Sequence, residues 1–229
     1  MIPIAAASAA AVSVAASSAQ ESGLPSLWDL TVSGGPLMIP LFLCSILALA
    51  YAIERAFSTR EGALGSEVFA RTLVETVKQG GPAQGVMLCD ATRTPLARIM
   101  RLALEHAAAP RAEREKRVED AASTEVRRLQ ARLRPLHLIY LVAPLLGLLG
   151  TVWGMILAFA TIATRDGLGK PGLLAEGVYQ ALVTTAAGLV IAIPTVVVLT
   201  WLRGRVERFA RRTEEVYSEL DRGLPTVGA

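Results

Sequence analysis

Cysteine and histidine are scarce in this sequence, which has two of each among its 229 residues. Cys44 and Cys89 stand far apart and form neither a disulfide framework nor a zinc motif, so we expect two free thiols. His106 and His137 have no neighbouring pattern of ligands or nucleophiles. The sequence therefore predicts no catalytic residue, no metal site and no cofactor.

Charged side chains are missing from three long stretches, Pro36 to Ile53, Leu138 to Ala163 and Gly177 to Leu202. About 20 consecutive apolar residues are enough to cross the hydrocarbon core of a bilayer as a helix. A buried helix of a soluble protein usually keeps one polar face and seldom runs this long without a charge. Because the whole chain is also 52% hydrophobic, we predict an all-α integral membrane protein with three transmembrane helices.

Lysine and arginine are absent before Arg55, and their distribution afterwards is uneven. The segment from Arg55 to His137 holds 15 of the 23 basic residues, and the part from Arg203 onward holds 6. Basic residues near span ends stay on the cytoplasmic side. We therefore expect an N-terminus outside the cytoplasm, a long cytoplasmic loop and a cytoplasmic C-terminus. The positive charge needs no nucleic-acid partner to explain it.

These signals divide the chain into eight segments. The first is either a cleaved signal peptide ending near Ala19 or a disordered external extension, and its lack of Lys and Arg argues against the signal peptide. The predicted segments are 1–23, an outer interfacial segment 24–35 with Trp28, span one 36–54, a cytoplasmic helical loop 55–137, span two 138–163, a short periplasmic loop 164–176, span three 177–202 and a cytoplasmic tail 203–229.

The end of the long loop has the pattern of an amphipathic helix. From Arg111 onward, apolar residues recur every three or four positions, at Val118, Ala122, Val126, Leu129, Leu133 and Leu136. Such a stripe needs a partner, either a helix of the same loop or a neighbouring subunit. Only Pro135 separates this helix from span two, so one long continuous rod is an arrangement that the sequence allows.

Spans two and three combine small residues with a few polar ones. The small residues recur at helical spacing and predict close helix packing, at Gly147, Gly150, Gly154, Gly177, Ala181 and Gly188. The polar residues are Thr151, Gln180, Thr184 and Thr185. An unsatisfied polar group in hydrocarbon costs several kcal/mol, so these side chains should face a partner or a water-filled lumen. A Thr can also bond to a carbonyl of its own helix, which leaves that alternative open for each Thr.

The stretch GLLGTVWGM in span two, followed by ALVTTAAGLVIAIP in span three, resembles the proton-channel subunits of the ExbB/TolQ/MotA family, most closely its ExbB/TolQ branch. TPLARIM in the loop and IER at the end of span one are similar to that branch too. The resemblance covers about Gly34 to Gly204. It implies a bacterial inner-membrane location and a homopentamer in which spans two and three surround a lumen.

The same resemblance implies partners and roles. The family holds single-span helices of an ExbD/TolR-like protein inside the lumen, and these carry an essential Asp. Thr151 and Thr185 match the family's pore threonines and would face that Asp. The implied function is a stator-like proton-channel subunit that energises TonB-dependent outer-membrane transport through a TonB-like transducer. A TolQ-like role in envelope maintenance is the alternative, and a non-conducting membrane scaffold is the alternative from another class.

One residue departs from the family pattern. The ExbB/TolQ branch has a Glu in the triplet that reads Gln180-Ala181-Leu182 here. A Gln keeps the hydrogen-bonding shape of a Glu, but it cannot hold or release a proton. Glu176, one helical turn earlier on the same face, is either a carboxylate that stands in for it or an ordinary interfacial residue.

Overall fold

The computed structural model describes residues 34–164 and 171–224, and every regular element in these two ranges is an α-helix. The helices are α1 Met38–Ser58, α2 Glu61–Leu64, α3 Glu67–Ala91, α4 Pro95–Glu105, α5 Arg111–Ala131, α6 Arg134–Thr164 and α7 Pro171–Asp221. The all-α prediction is confirmed for this part of the chain. The predicted N-terminal extension, the interfacial segment up to residue 33 and most of the short loop lie outside the described residues.

Three helical segments are long and apolar enough to cross a membrane, in agreement with the three predicted spans. They are Met38–Ser58, Arg111–Thr161, which joins α5 to most of α6, and Ala175–Asp221 within α7. Large apolar side chains on these helices, such as Phe42, Leu145 and Val190, are more than half exposed. Side chains of this kind are expected to face lipid or another helix.

Helix α7 is longer than the third span predicted from the sequence. It begins at Pro171 instead of Gly177 and continues to Asp221 instead of ending near Leu202. Proline favours the first position of a helix because its fixed φ angle suits the helix and the missing N–H has no partner there. Beyond Leu202 a buried apolar stripe continues at helical spacing, at Val206, Phe209, Val216 and Leu220. This stripe keeps the helix intact after the uncharged run ends.

Helices α5 and α6 are separated by a two-residue turn at Arg132 and Leu133. Pro135 lies in the first turn of α6 and does not mark the break itself. A proline is tolerated there because the first N–H groups of a helix have no intrahelical acceptor. The helical hydrogen bonding is therefore interrupted only briefly, and Arg111–Thr161 still forms one long helical segment.

The chain forms two compact units. The apolar unit consists of the described residues up to Leu47 together with Ile139–Pro194, and the polar unit consists of Ala48–Leu138 together with the described residues from Thr195 onward. The apolar unit contains the predicted polar residues of spans two and three. The polar unit contains most of the basic residues.

The polar unit is built around α4, which packs against both α3 and α5. Leu73, Leu96, Ile99 and Met100 are at most 1% exposed and form its core. The amphipathic stripe of α5 is buried at Val118 and Leu129, and the burial continues at Leu133 and Leu136. Within the described residues, α5 packs against α4, a helix of the same loop, which is one of the two partners predicted for this stripe.

Two side-chain caps help to define the helices of the polar unit. The Ser66 hydroxyl accepts a hydrogen bond from the Phe69 N–H at 3.1 Å at the start of α3, and the Thr94 hydroxyl accepts one from the Ala97 N–H at 3.3 Å at the start of α4. Each cap satisfies a donor that the helix itself leaves free, which contributes about 1 kcal/mol.

Candidate functional site

Helices α6 and α7 approach each other through glycines in the apolar unit. A Cβ atom on Gly188 would lie 2.6 Å from the carbonyl oxygen of Ala143, and one on Gly147 would lie 3.0 Å from the Cα of Thr185. At Gly177 the added Cβ would lie 2.5 Å from the Cβ of Ala158. The two backbones are therefore in direct contact. Such contact provides the van der Waals packing that holds membrane helices together.

Replacing Gly188 by Ala should destabilise this helix pair by about 1–3 kcal/mol, because the new methyl group meets a backbone oxygen that cannot move alone. Gly172→Ala is the matched control on the same helix, since a Cβ there meets nothing within 4 Å. Alanine also favours a helix over glycine, so the control should be neutral or slightly stabilising. Denaturant unfolding in detergent micelles measures both variants. Equal stability of the two would contradict the close approach.

Thr184 lies inside this contact. It is 1% exposed, its side chain packs on Gly150, and its hydroxyl donates a hydrogen bond to the Ala181 carbonyl at 2.8 Å. Its neighbours along the same face of α7, Ala181, Gly188 and Ala192, are buried as well. Within this chain, Thr184 is therefore enclosed between α6 and α7 and has no open side.

Thr185 joins the two helices by a hydrogen bond. Its hydroxyl donates to the carbonyl oxygen of Gly147 on α6 at 3.0 Å, and its side chain remains partly exposed. Successive residues on a helix point about 100° apart. Thr184 therefore occupies the interior of the contact between α6 and α7, and Thr185 lies at its edge. Only the glycine at position 147 lets the carbonyl come this close.

Thr151 occupies the next position along α6 after Gly150 and is partly exposed. Its hydroxyl donates to the Leu148 carbonyl of its own helix at 2.7 Å. Thr151 therefore makes no bond to α7 through its hydroxyl proton. The structure brings Gly150 and Thr184 together, while Thr151 lies outside their contact.

Gln180 lies near the start of α1. Its amide nitrogen faces Gly35, which has a φ angle of 71° and leaves no room for a side chain. Positive φ and close approach both favour glycine at that position. Glu176, one turn earlier on α7, is exposed. The sequence offered no signal for the contact between Gln180 and Gly35, because the two residues are far apart along the chain.

The three hydroxyls share one chemical property. Each donates its single proton to a helix carbonyl, and each oxygen keeps lone pairs that can accept further hydrogen bonds. The three uncharged runs, which end at Ile53, Ala163 and Leu202, contain no Asp, Glu, Lys, Arg or His. The partly exposed hydroxyls of Thr151 and Thr185 can therefore receive a proton donor from outside the chain, but they have no acid of their own beside them.

Within residues 34–164 and 171–224, the remaining reactive groups do not assemble into a site. Among the described residues, no group of three His, Cys, Asp or Glu is close enough to hold a metal ion. Both cysteines are free thiols, as predicted. Burial, together with the charge of Asp90, raises the pKa of the Cys89 thiol to about 12, so this thiol stays protonated. The Nδ1 atom of His106 lies 3.0 Å from the Leu102 carbonyl of its own helix, and His137 lies 3.1 Å from the Arg203 guanidinium.

Comparison with known protein families matches residues 91–215 to the MotA/TolQ/ExbB proton channel family. This range includes α4, α5, α6 and most of α7, and therefore all of the threonines discussed above.

Individual relatives extend the similarity. The biopolymer transport protein exbB1 of Vibrio cholerae is 34% identical over 176 residues, which cover 76% of this chain and 77% of the relative. The biopolymer transport protein ExbB of Neisseria meningitidis serogroup A is 27% identical over 188 residues, covering 74% of this chain and 84% of the relative. The Tol-Pal system protein TolQ of Pseudomonas aeruginosa is 36% identical over 92 residues, covering 40% of this chain and 39% of the relative.

Proposed function

Since this chain belongs to the MotA/TolQ/ExbB proton channel family, we propose that it is the ExbB-like channel subunit of a proton-driven inner-membrane motor. In this proposal it uses the proton motive force to energise TonB-dependent outer-membrane transport. The observation that carries the proposal is the pair of partly exposed hydroxyls in a charge-free setting, Thr185 at the contact of α6 and α7 and Thr151 on α6 beside it.

The proposed assembly is a homopentamer around an ExbD/TolR-like single-span protein, coupled to a TonB-like transducer. The uncharged runs of its three spans contain no Asp, Glu, Lys, Arg or His, so a partner must bring the acid. An Asp on the partner's membrane helix supplies one. The distribution of Lys and Arg supports a periplasmic N-terminus and a cytoplasmic C-terminus.

The hydroxyls give this mechanism its physical basis. A charged Asp at the centre of a membrane helix costs about 2.5–3.5 kcal/mol, and protonation from the periplasmic side removes that cost. The neutral acid then has an O–H group that donates to a Thr hydroxyl oxygen, a bond with a net value of about 0.5–1.5 kcal/mol. Release of the proton on the other side completes the cycle. Each proton moved through the field contributes about 2.3 kcal/mol per 100 mV. A five-fold ring around an asymmetric partner converts repeated cycles into rotation.

In this proposal Gln180 is a polar pore group and not a relay, because an amide cannot release a proton. Glu176 takes part only as an exposed carboxylate at the periplasmic end of α7. Thr184, which is enclosed in this chain, holds α6 and α7 together beside the two pore hydroxyls.

Replacing Gln180 by Glu should leave assembly intact, because a pore position gives the new carboxylate water and polar neighbours. Leu182→Glu is the matched control, since Leu182 is 63% exposed on an apolar surface two residues away. A carboxylate that faces lipid costs up to about 2.5–3.5 kcal/mol at a helix centre and less nearer the end, where Leu182 lies, so this variant should lose a clear part of its assembled complex. The yield of intact complex in mild detergent measures both. If Gln180→Glu is as disruptive as Leu182→Glu, Gln180 does not face the pore.

A TolQ-like role in envelope maintenance is the second candidate, supported by the similarity to the TolQ protein of Pseudomonas aeruginosa. Deletion of the gene for this chain separates the two roles. Loss of energy-dependent uptake with an intact envelope supports the ExbB-like role, and leakage of periplasmic proteins with normal uptake supports the TolQ-like role.

Native mass spectrometry of the complex from native membranes tests the proposal as a whole. The expected result is five copies of this chain with a single-span protein that has an intramembrane Asp. A homo-oligomer that never carries such a partner would leave the lumen without a titratable group. That result would favour the non-conducting scaffold.

A further inference from the structure

A small cavity of about 50 Å³ in the polar unit is surrounded by arginines of α7. Its lining residues are Thr59, Leu64, Gly65, Arg205, Arg208, Phe209 and Arg212. The three arginines are spaced by three and four residues, so they lie on one face of the helix. None of the lining residues has a carboxylate. The cavity therefore concentrates positive charge without an acidic neighbour in its wall.

Two of these arginines lack an anionic partner. No ion pair among the described residues involves Arg208 or Arg212. The Nη2 atom of Arg212 is buried and has no hydrogen-bond partner within that part of the chain. A buried guanidinium donor without a partner is costly, because it has lost its water and gained nothing in exchange. An anion in the cavity supplies the hydrogen-bond acceptor that this guanidinium lacks.

Arg205 is held in place at the mouth of this cavity. Its guanidinium donates to the Ala56 carbonyl near the end of α1 at 3.0 Å and lies over the Trp201 ring, 3.8 Å from the ring centroid. Contacts of this kind fix the direction of a long side chain before any ligand arrives. The positive charge is therefore preorganised.

The cavity lies directly after the ends of two spans. Thr59 follows the last residue of α1, and Arg205 is three residues beyond Leu202, where the uncharged run of α7 ends. At 1.5 Å per residue, Arg205 stands about 5 Å past the hydrocarbon boundary. The headgroup layer on each side of a bilayer is about 5–7 Å thick. Arg205 is thus at the depth of lipid phosphates. The backbones of Arg208 and Arg212 stand about 9 and 15 Å past the boundary on the same face, and their long side chains tilt toward the helix N-terminus and so back toward the headgroups.

We propose that this arginine pocket binds the phosphate group of an anionic phospholipid on the side of the membrane where the basic residues gather. The forked guanidinium group matches the geometry of phosphate oxygens and can bond two of them at once. Basic pockets beside membrane helices are suited to anionic headgroups. The cavity is much smaller than the roughly 300–1,000 Å³ of pockets for drug-sized ligands, so it accepts one phosphate and not a nucleotide.

Lipid retention by the full-length complex tests this assignment. The complex is incorporated into nanodiscs of phosphatidylcholine with a minor fraction of phosphatidylglycerol, and retained lipids are counted by native mass spectrometry. Arg208→Gln and Arg212→Gln should each lower the retained phosphatidylglycerol about tenfold, the loss expected for one charge-assisted hydrogen bond. Arg211→Gln is the matched control, because Arg211 is an exposed neighbour on the same helix and does not line the cavity.

The outcomes distinguish a loss of lipid binding from misfolding. They also distinguish a lipid phosphate from a soluble phosphate. The thermal midpoints of all variants in pure phosphatidylcholine nanodiscs report folding, and the wild type can be titrated by itself if a variant misfolds. If the wild type retains phosphatidylglycerol no better than phosphatidylcholine, or if the pocket variants behave like Arg211→Gln, the proposal is overturned. If inorganic phosphate raises the midpoint of the wild type and phosphatidylglycerol does not, the ligand is a soluble phosphate and the lipid assignment is wrong.

Discussion

Replacing Thr151 by Val should lower proton-coupled transport by about tenfold while the complex still assembles. Valine keeps the shape of threonine but has no oxygen to accept a hydrogen bond from the protonated Asp of the proposed partner. The hydroxyl of Thr151 bonds only to the Leu148 carbonyl of its own helix, so its loss removes no contact between α6 and α7. Thr151→Val should therefore lower transport without lowering the stability of the contact between α6 and α7. Energy-dependent uptake measures the activity, and native mass spectrometry measures assembly.

Thr200→Val is the matched control for this experiment. Thr200 is exposed on α7, and its hydroxyl donates to the Val196 carbonyl at 2.8 Å in the same back-bonded geometry. It lies 15 residues beyond Thr185, about 22 Å along the helix from the proposed site, and should keep full activity. Thr151→Ser restores the oxygen and should recover most of the transport. Full activity of Thr151→Val would refute the assignment of this hydroxyl to the pore.

Thr185→Val should combine the same loss of transport with a moderate loss of stability. This hydroxyl bonds across to Gly147, and hydrogen bonds between membrane helices average about 0.6 kcal/mol, with a maximum near 1.7 kcal/mol. The contrast between the two threonines is itself a test. If Thr185→Val is more stable than the wild type, its bond to α6 does not form in the membrane.

Replacing Asp221 by Ala should destabilise the polar unit by about 3–5 kcal/mol. Asp221 accepts hydrogen bonds from Nε and Nη2 of Arg114 at 3.1 and 2.5 Å, and Arg111 lies 3.1 Å from its other oxygen. Arg114 is 1% exposed, and it also donates to the carbonyls of Ala107 and Ala109. Removing the carboxylate leaves a charged guanidinium buried without its partner.

The charge of Arg114 persists at all physiological pH values. Burial by itself lowers the pKa of this guanidinium, but the hydrogen bonds and charge of Asp221, with a smaller contribution from Tyr217, more than offset that effect and raise the pKa. A group whose pKa is raised in the folded state loses its stabilising contribution only as the pH rises through that value. Even without Asp221, a guanidinium keeps its proton at any physiological pH, so Arg114 stays charged and buried in the variant.

Glu219→Ala is the matched control for Asp221→Ala. Glu219 forms an exposed ion pair with Lys78 at 3.8 Å near the same end of α7, and such pairs contribute about 0–1 kcal/mol. Thermal unfolding in detergent should show a midpoint lower by roughly 6–20 °C for Asp221→Ala and nearly unchanged for Glu219→Ala. Equal midpoints in the two variants would mean that the buried pair does not hold α7 against the start of α5.

The sequence predicted those features that depend on local composition and periodicity. The charge-free runs predicted three spans because a bilayer excludes charge over a fixed length. The spacing of Val118 and Leu129 predicted a helix with one buried side, and the glycines of spans two and three predicted close packing. The continuation of α7 was also readable from the spacing of Val206, Phe209, Val216 and Leu220, although the end of the uncharged run at Leu202 obscured it.

The sequence by itself determined that this chain is an all-helical protein with three apolar spans and a small set of polar residues inside them. Only the tertiary structure decided what each polar residue contacts: it encloses Thr184, joins Thr185 to Gly147, leaves Thr151 partly exposed and pairs Arg114 with Asp221 across 107 residues. Adjacent threonines have the same local pattern and the same hydrophobicity. Their different surroundings arise from the angle and distance at which two helices meet, which periodicity along one helix does not contain.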